Sequence, residues 1–179
     1  MFNTLGGWKV NIVTGAMPQK VATAIGSLAE TLLGATYTPI AYLGSQFVNG
    51  TNHAVLAEQT IVAGVDHKNI VLLKFNEKGM DCSLYAIEPV LQEGGPLGGV
   101  KINASVDIPE AALEAFNKVT ANWVGVTVNA AAFLGQRVSK GTDYYFLASV
   151  TPIYPNAEAK AMLICVNPML NSIDFTEIL

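Results

Sequence analysis

The sequence predicts an α+β protein of two tandem modules, residues 1–92 and 93–179, each with one helix packed across a four- to five-stranded antiparallel sheet. Three observations predict it. The chain lies on itself at a shift of 91 residues. Each half sets a proline before a helix-patterned segment and a glycine after it. Each half then carries four strand-like segments in the same order.

At that shift Pro18 meets Pro109, Gly34 meets Gly125, Leu43-Gly44 meets Leu134-Gly135, and Gly50-Thr51 meets Gly141-Thr142. Leu56-Ala57 meets Leu147-Ala148, Leu72 meets Leu163, and Asn76 meets Asn167. One register serves most of the module, which chance matching does not sustain.

A short first strand is expected near 8–14 and again near 100–106. The helix follows. Val21, Ile25, Leu28 and Leu32 in the first copy, and Ala112, Phe116, Val119 and Trp123 in the second, recur at helical spacing. Pro18 and Pro109 suit the first turn, where a missing N–H costs nothing, and Gly34 and Gly125 suit termination. Strands are then expected at 36–47, 51–63, 70–76 and 82–91, and at 127–138, 142–154, 161–167 and 172–178. Gln92 to Gly99, glycine-rich with one proline, joins the modules.

Composition narrows the function classes. Charged residues are 13% of the chain and the net charge is −4. No Lys/Arg cluster offers a nucleic-acid footprint, so no nucleic-acid partner is expected. The long uncharged stretch from Thr31 to Ala57 is broken by Gly34, Pro39, Gly44 and Gly50, so no membrane span is expected. The N-terminus has neither a basic start nor an apolar run. The expected location is therefore the cytoplasm, or elsewhere for a mature form that has lost a leader. Cys82 and Cys165 are too few for a disulfide framework; they read as reduced and buried, with a bridge between modules as the other reading.

A catalytic site is hard to assemble, and the expectation is that the chain is not an enzyme. His53 opens a strand where the second copy has Tyr144, which reads as packing or surface. His67 lies in a polar turn. The cysteines do not align with each other, and no metal-ligand spacing, phosphate loop or nucleophile motif is present, so no metal or cofactor is expected.

One motif carries a sharper meaning. Gln46-Phe47-Val48-Asn49-Gly50 joins two expected strands. Asn-Gly there is a strong hairpin signal, because a type I′ turn needs positive φ at both central residues. On that ground alone the segment makes a turn. Gln-x-Val-x-Gly after a helix and at a hairpin tip also resembles the central motif of the cystatins, and the following Thr51-Asn52 strengthens the likeness. Leu5-Gly6-Gly7 stands where cystatins carry an apolar residue and a glycine in the N-terminal trunk, and Leu97-Gly98-Gly99 repeats it. Gln136, Val138 and Gly141 give a second hairpin motif that reads as one residue longer than the pattern.

The resemblance implies a wedge: trunk and hairpin tips filling the active-site cleft of a papain-like cysteine protease, a reversible and non-covalent inhibition. It implies protease contacts at Leu5, Gly6, Gly7, Gln46, Phe47, Val48, Asn49 and Gly50. Weaker counterparts are implied at Leu97, Gly98, Gly99, Gln136, Val138, Gly141, Pro168, Met169 and Leu170. The sequence departs from many cystatins in lacking a Pro-Trp second hairpin; that loop is Asn76 to Asp81 in one copy and Asn167 to Asn171 in the other. Leucine and glycines near a chain end also suit a plain tail. The alternatives are a duplicated binding or assembly module without inhibitory action and, third, an enzyme with its site in the concave face of the sheet. Oligomeric state is not legible.

Overall fold

The computed structural model describes residues 6–62, 64, 65, 67–94 and 99–179. The chain divides into two compact units, Met1–Leu91 and Gln92–Leu179. The first contains β1 (Lys9–Val13), α1 (Gln19–Gly26), α2 (Leu28–Thr31), β2 (Ala35–Phe47), β3 (Thr51–Ile61), β4 (His67–Lys78) and β5 (Asp81–Gln92). The second contains β6 (Lys101–Ser105), α3 (Glu110–Thr120), β7 (Val126–Ser139), β8 (Gly141–Pro152), β9 (Lys160–Asn167) and β10 (Ser172–Glu177). Each unit is a five-stranded sheet in which every strand lies beside its sequence neighbour, with the helix inserted after the first strand.

The helices form where the apolar spacing places them. Val21 and Ile25 of α1 and Leu28 of α2 pack on Val55, Ala57, Val71, Leu73 and Phe75. Ala112, Ala115, Phe116 and Val119 of α3 pack on Phe133, Phe146, Met162, Ile164 and Val166, with the Phe116 and Phe146 rings edge-to-face at 4.9 Å. Three details differ from expectation. Pro18 and Pro109 stand just ahead of the helices with extended ψ of 135° and 137°, and their carbonyls accept the first helical bonds. The first helix breaks at Ser27, after Gly26. There the hydroxyls of Thr23, Ser27 and Thr31 each bond a carbonyl one turn back, which bends a helix. Trp123 lies beyond the end of α3 and instead meets the Phe175 ring at 5.5 Å.

The strands carry the repeat down to their irregularities. The pairing of β2 with β3 shifts between Pro39 and Ala41 and between Tyr42 and Gly44. The pairing of β7 with β8 shifts between Ala130 and Ala132 and between Phe133 and Gly135, 91 residues on. Such interruptions bend a strand and let a sheet curve around a helix. At Gly44 and Gly135 a β-carbon would sit 2.3 and 2.4 Å from the carbonyl oxygens of Lys9 and Lys101, so only glycine lets the first strand lie this close. β3 and β4 are apolar at both parities: Ala54, Leu56, Ile70 and Leu72 are buried along with Val55, Ala57, Val71 and Leu73. Such runs mark strands covered on both faces.

Candidate functional site at the hairpin end

In the first unit three segments meet at one end of the sheet. Phe47 pairs with Thr51, so Val48, Asn49 and Gly50 make the turn, with φ of +49° at Asn49 and +112° at Gly50. A β-carbon on Gly50 would lie 2.5 Å from the carbonyl oxygen of Glu77, so glycine is required for the first hairpin to rest on the second. The second hairpin turns at Gly79 and Met80. The trunk joins through Gly6, whose carbonyl accepts a hydrogen bond from the Gln46 side-chain amide. Phe47 and Met80 project into solvent, 75% and 89% exposed, and Val48 is half exposed.

Gln46 thus turns toward the trunk, and it begins a chain of amides across three strands. Asn52 Nδ2 donates to Gln46 Oε1 at 3.0 Å, and Asn76 Nδ2 donates to Asn52 Oδ1 at 2.7 Å. The second unit repeats the chain with charge. Arg137 donates to Asp143 through Nε at 2.9 Å and through a terminal nitrogen at 2.6 Å, Ser139 donates at 3.0 Å, and Asn167 Nδ2 donates at 2.7 Å. Burial pushes the Asp143 carboxyl up, but the bonds from Asn167, Arg137 and Ser139 outweigh it and hold the group below its ordinary range. Asn167 Oδ1 then accepts the backbone N–H groups of Met169 and Leu170, both at 3.0 Å, fixing the second turn.

This pairing corrects the reading of the second hairpin. Val138 opposite Thr142 is the counterpart of Phe47 opposite Thr51, so the second hairpin carries no extra residue. Arg137, not Gln136, occupies the place of Gln46. Gln136 lies opposite Tyr144, as Ser45 lies opposite His53. Matching glutamine to glutamine slips the strand by one residue, and a slip of one puts every side chain on the wrong face.

A polar relay lies under the first unit's edge. Of the two readings of His53, packing or surface, burial decides for packing. Its Nε2 stands 3.1 Å from Glu77 Oε2, and the Tyr42 hydroxyl stands 2.9 Å from Nδ1. Lys20 Nζ donates to Glu77 Oε1 and to the Gly79 carbonyl, both at 2.7 Å. The bonds from Lys20 and His53 hold the Glu77 carboxyl below its ordinary value, so it accepts from Nε2–H. With the proton on Nε2, Nδ1 accepts a hydrogen bond from the Tyr42 hydroxyl. At the same places the second unit has Ala111, Phe133, Tyr144 and Pro168, with none of the relay.

The two thiols are free. Burial, then the charge of Glu77, raises the Cys82 thiol; burial, then Asp143, pushes Cys165 up to about 11. Both stay protonated near neutral pH, the unreactive form. A groove of about 610 Å³ runs between the first helix and β5, lined by Lys20, Thr23, Ser27, Leu28, Cys82 and Leu84 among others.

Among the residues the sequence singles out, Leu5, Leu97 and Gly98 lie outside the described residues. Gly6, Gln46, Phe47, Val48, Asn49 and Gly50 come together; Gly7 is exposed beside them. In the second unit Gly141 rests on Met169, Val138 is 73% exposed, and Met169 and Leu170 are exposed. Pro168 accepts Lys118 Nζ at 3.3 Å. Gly99 precedes β6, and the Gly94 N–H donates to the Val100 carbonyl at 3.0 Å. The sequence reading missed Asp143, Tyr42 and Lys20, and the roles of Asn52 and Glu77. The match of Asn76 with Asn167 was a visible signal for the cross-strand chain.

A scan against protein-family models finds no matching family, and searches of curated proteins and of solved structures find no match. Among the described residues no helix is long and apolar enough to cross a membrane.

Proposed function

We propose that the chain is a reversible, non-covalent inhibitor of papain-like cysteine proteases, acting through the hairpin end of its first unit. One observation carries the reading: the Gln46 amide holds Gly6 of the trunk against the hairpin that presents Phe47 and Val48. Trunk and hairpin thereby form one pre-set edge. An edge ordered before docking loses little entropy on binding, and its exposed apolar tips supply buried area. Cleft occlusion needs no nucleophile from the inhibitor, and the protonated thiols are compatible with that. The second unit is the weaker partner, because Arg137 replaces Gln46 and its trunk counterpart lies between the two units in sequence rather than ahead of both.

A second reading is a protein-docking edge without inhibition. The sequence of the second hairpin favours it, because Glu77, Lys78 and Asp81 place charge beside the exposed Met80. Titration of papain against the full chain separates the two. Saturating inhibition, lost on deleting residues 1–7 and in Gly6→Glu, supports the wedge. Absence of inhibition of several papain-like proteases at micromolar concentration refutes it and favours the second reading.

A further inference from the structure

The first hairpin carries a reactive pair of residues that cleft occlusion does not use. Asn49 is followed by Gly50, and no other asparagine in the chain precedes a glycine. Both residues have positive φ, as the hairpin turn demands. The last pair of the ladder is Phe47 with Thr51, so the Gly50 amide nitrogen lies outside it. Asn49 is exposed, and no hydrogen bond among the described residues engages its side chain. Other asparagines at this end are held: Asn52 and Asn76 donate their amides to the chain that begins at Gln46. Asn156 and Asn171 share the exposure and positive φ of Asn49, but Ala157 and Ser172 follow them. The second unit has Lys140-Gly141 at the same turn and lacks the pair.

We infer that Asn49 is a self-modification site whose conversion disarms the first hairpin. The Gly50 nitrogen gives up its proton and attacks Asn49 Cγ. The Cγ–Nδ2 bond breaks, ammonia leaves, and a succinimide ring closes. Water then opens the ring. Opening at Cγ leaves aspartate; opening at the main-chain carbonyl leaves isoaspartate, in which the chain runs through the former side chain. Water is consumed, ammonia is released, and nothing is oxidised or reduced. Glycine makes the attack fast, because it puts no β-carbon beside the nitrogen. Asparagine is already among the heat-labile side chains. Isoaspartate lengthens the backbone by a carbon between residues 49 and 50. Gly50 has no slack to absorb it, since a β-carbon there would already lie 2.5 Å from the Glu77 carbonyl oxygen. Both products also place a carboxylate beside the exposed apolar Phe47 and Val48. The effect on protease binding rests on the proposed function; the modification itself does not.

The test is ageing of the full chain in warm, mildly alkaline buffer, followed by peptide mapping with mass spectrometry and by isoaspartyl methylation. The expected result is a more acidic species modified at Asn49, formed at least about tenfold faster than any change at Asn156 or Asn171. Asn49→Gly keeps the positive φ without the amide and should give no such species. A free peptide of residues 46–53 serves as the clock. Asn49 that stays intact after the peptide has converted overturns the inference. So does equal conversion at Asn156 or Asn171, or the same acidic species in Asn49→Gly. The modified and unmodified chains, separated by ion exchange, are then titrated against papain. The modified chain should inhibit at least about tenfold less well, and equal inhibition overturns the disarming. An unmodified chain that does not inhibit papain refutes the proposed function instead. The melting temperatures of the two separated forms then decide: the modified form must melt lower, and equal melting overturns the disarming.

Discussion

Asn167 donates its side-chain amide to the Asp143 carboxylate at 2.7 Å, and 91 residues earlier Asn76 donates to Asn52 at the same distance. The two units solve one problem, joining two hairpin tips, with an ionic version and a neutral one. Only the ionic version leaves charge behind when it is broken.

Asp143 should therefore be far less tolerant of truncation than Asn52. Asp143→Ala takes a charged acceptor from Asn167, Ser139 and the exposed Arg137 at once and should cost about 2–3 kcal/mol; Asn52→Ala breaks neutral bonds and should cost about 1–2 kcal/mol. Urea unfolding of the two variants checks the order. Equal losses would refute the distinction.

The ionic version should also be acid-sensitive. Asp143 titrates lower in the folded chain than in the unfolded one. Its contribution is thus complete above the unfolded value of about 4 and is lost as pH falls through the depressed folded value. Melting temperature measured from about pH 7 down to pH 2 should fall further in wild type than in Asp143→Asn. Parallel curves for the two would remove Asp143 as the titrating group.

Much of the fold was legible because both copies state it twice. Apolar spacing at Val21, Ile25 and Leu28 located a helix, whereas the glycines at 34 and 125 fall two and four residues beyond the caps at Leu32 and Ala121. What failed to read were relations across strands. Gln136 looked like the partner of Gln46 because matching by motif set aside the 91-residue register, which, like the backbone pairing, places Arg137 there. His53 read as packing or surface, and its hydrogen bonds did not read because Tyr42 and Glu77 lie 11 and 24 residues away on other strands. The break at Ser27 depends on hydroxyl back-bonds, which leave the apolar spacing intact.

The relay suggests a compensation experiment. His53→Leu should cost about 1–2 kcal/mol by removing the hydrogen bonds that the part-buried Tyr42 hydroxyl and Glu77 make to the ring. Installing the second unit's pair, Tyr42→Phe with His53→Tyr, should recover much of that loss, since both partners change together. Urea midpoints for the single and paired variants decide. A paired variant as weak as the sum of its parts would mean the relay does not act as a unit.

Gly50 and Gly15 offer a contrast between strain and collision. Both have positive φ, but a β-carbon at Gly15 meets nothing within 4 Å, whereas at Gly50 it meets the Glu77 carbonyl at 2.5 Å. Gly15→Ala should cost about 1 kcal/mol from backbone strain, and Gly50→Ala about 1–2 kcal/mol more. Thermal unfolding of the two variants measures the difference. Similar losses would mean that the hairpins separate at little cost.

Gln46 should show its role through the trunk. If its amide serves to hold Gly6 against the hairpin, Gln46→Ala should weaken papain inhibition by about tenfold and change stability by less than about 1 kcal/mol. In a chain lacking residues 1–7 the carbonyl it binds is gone, so the same substitution should have little further effect. Inhibition constants for the four proteins form a double-mutant cycle. Losses that simply add would place Gln46 in direct contact with the protease instead, and would assign the trunk's position to other contacts.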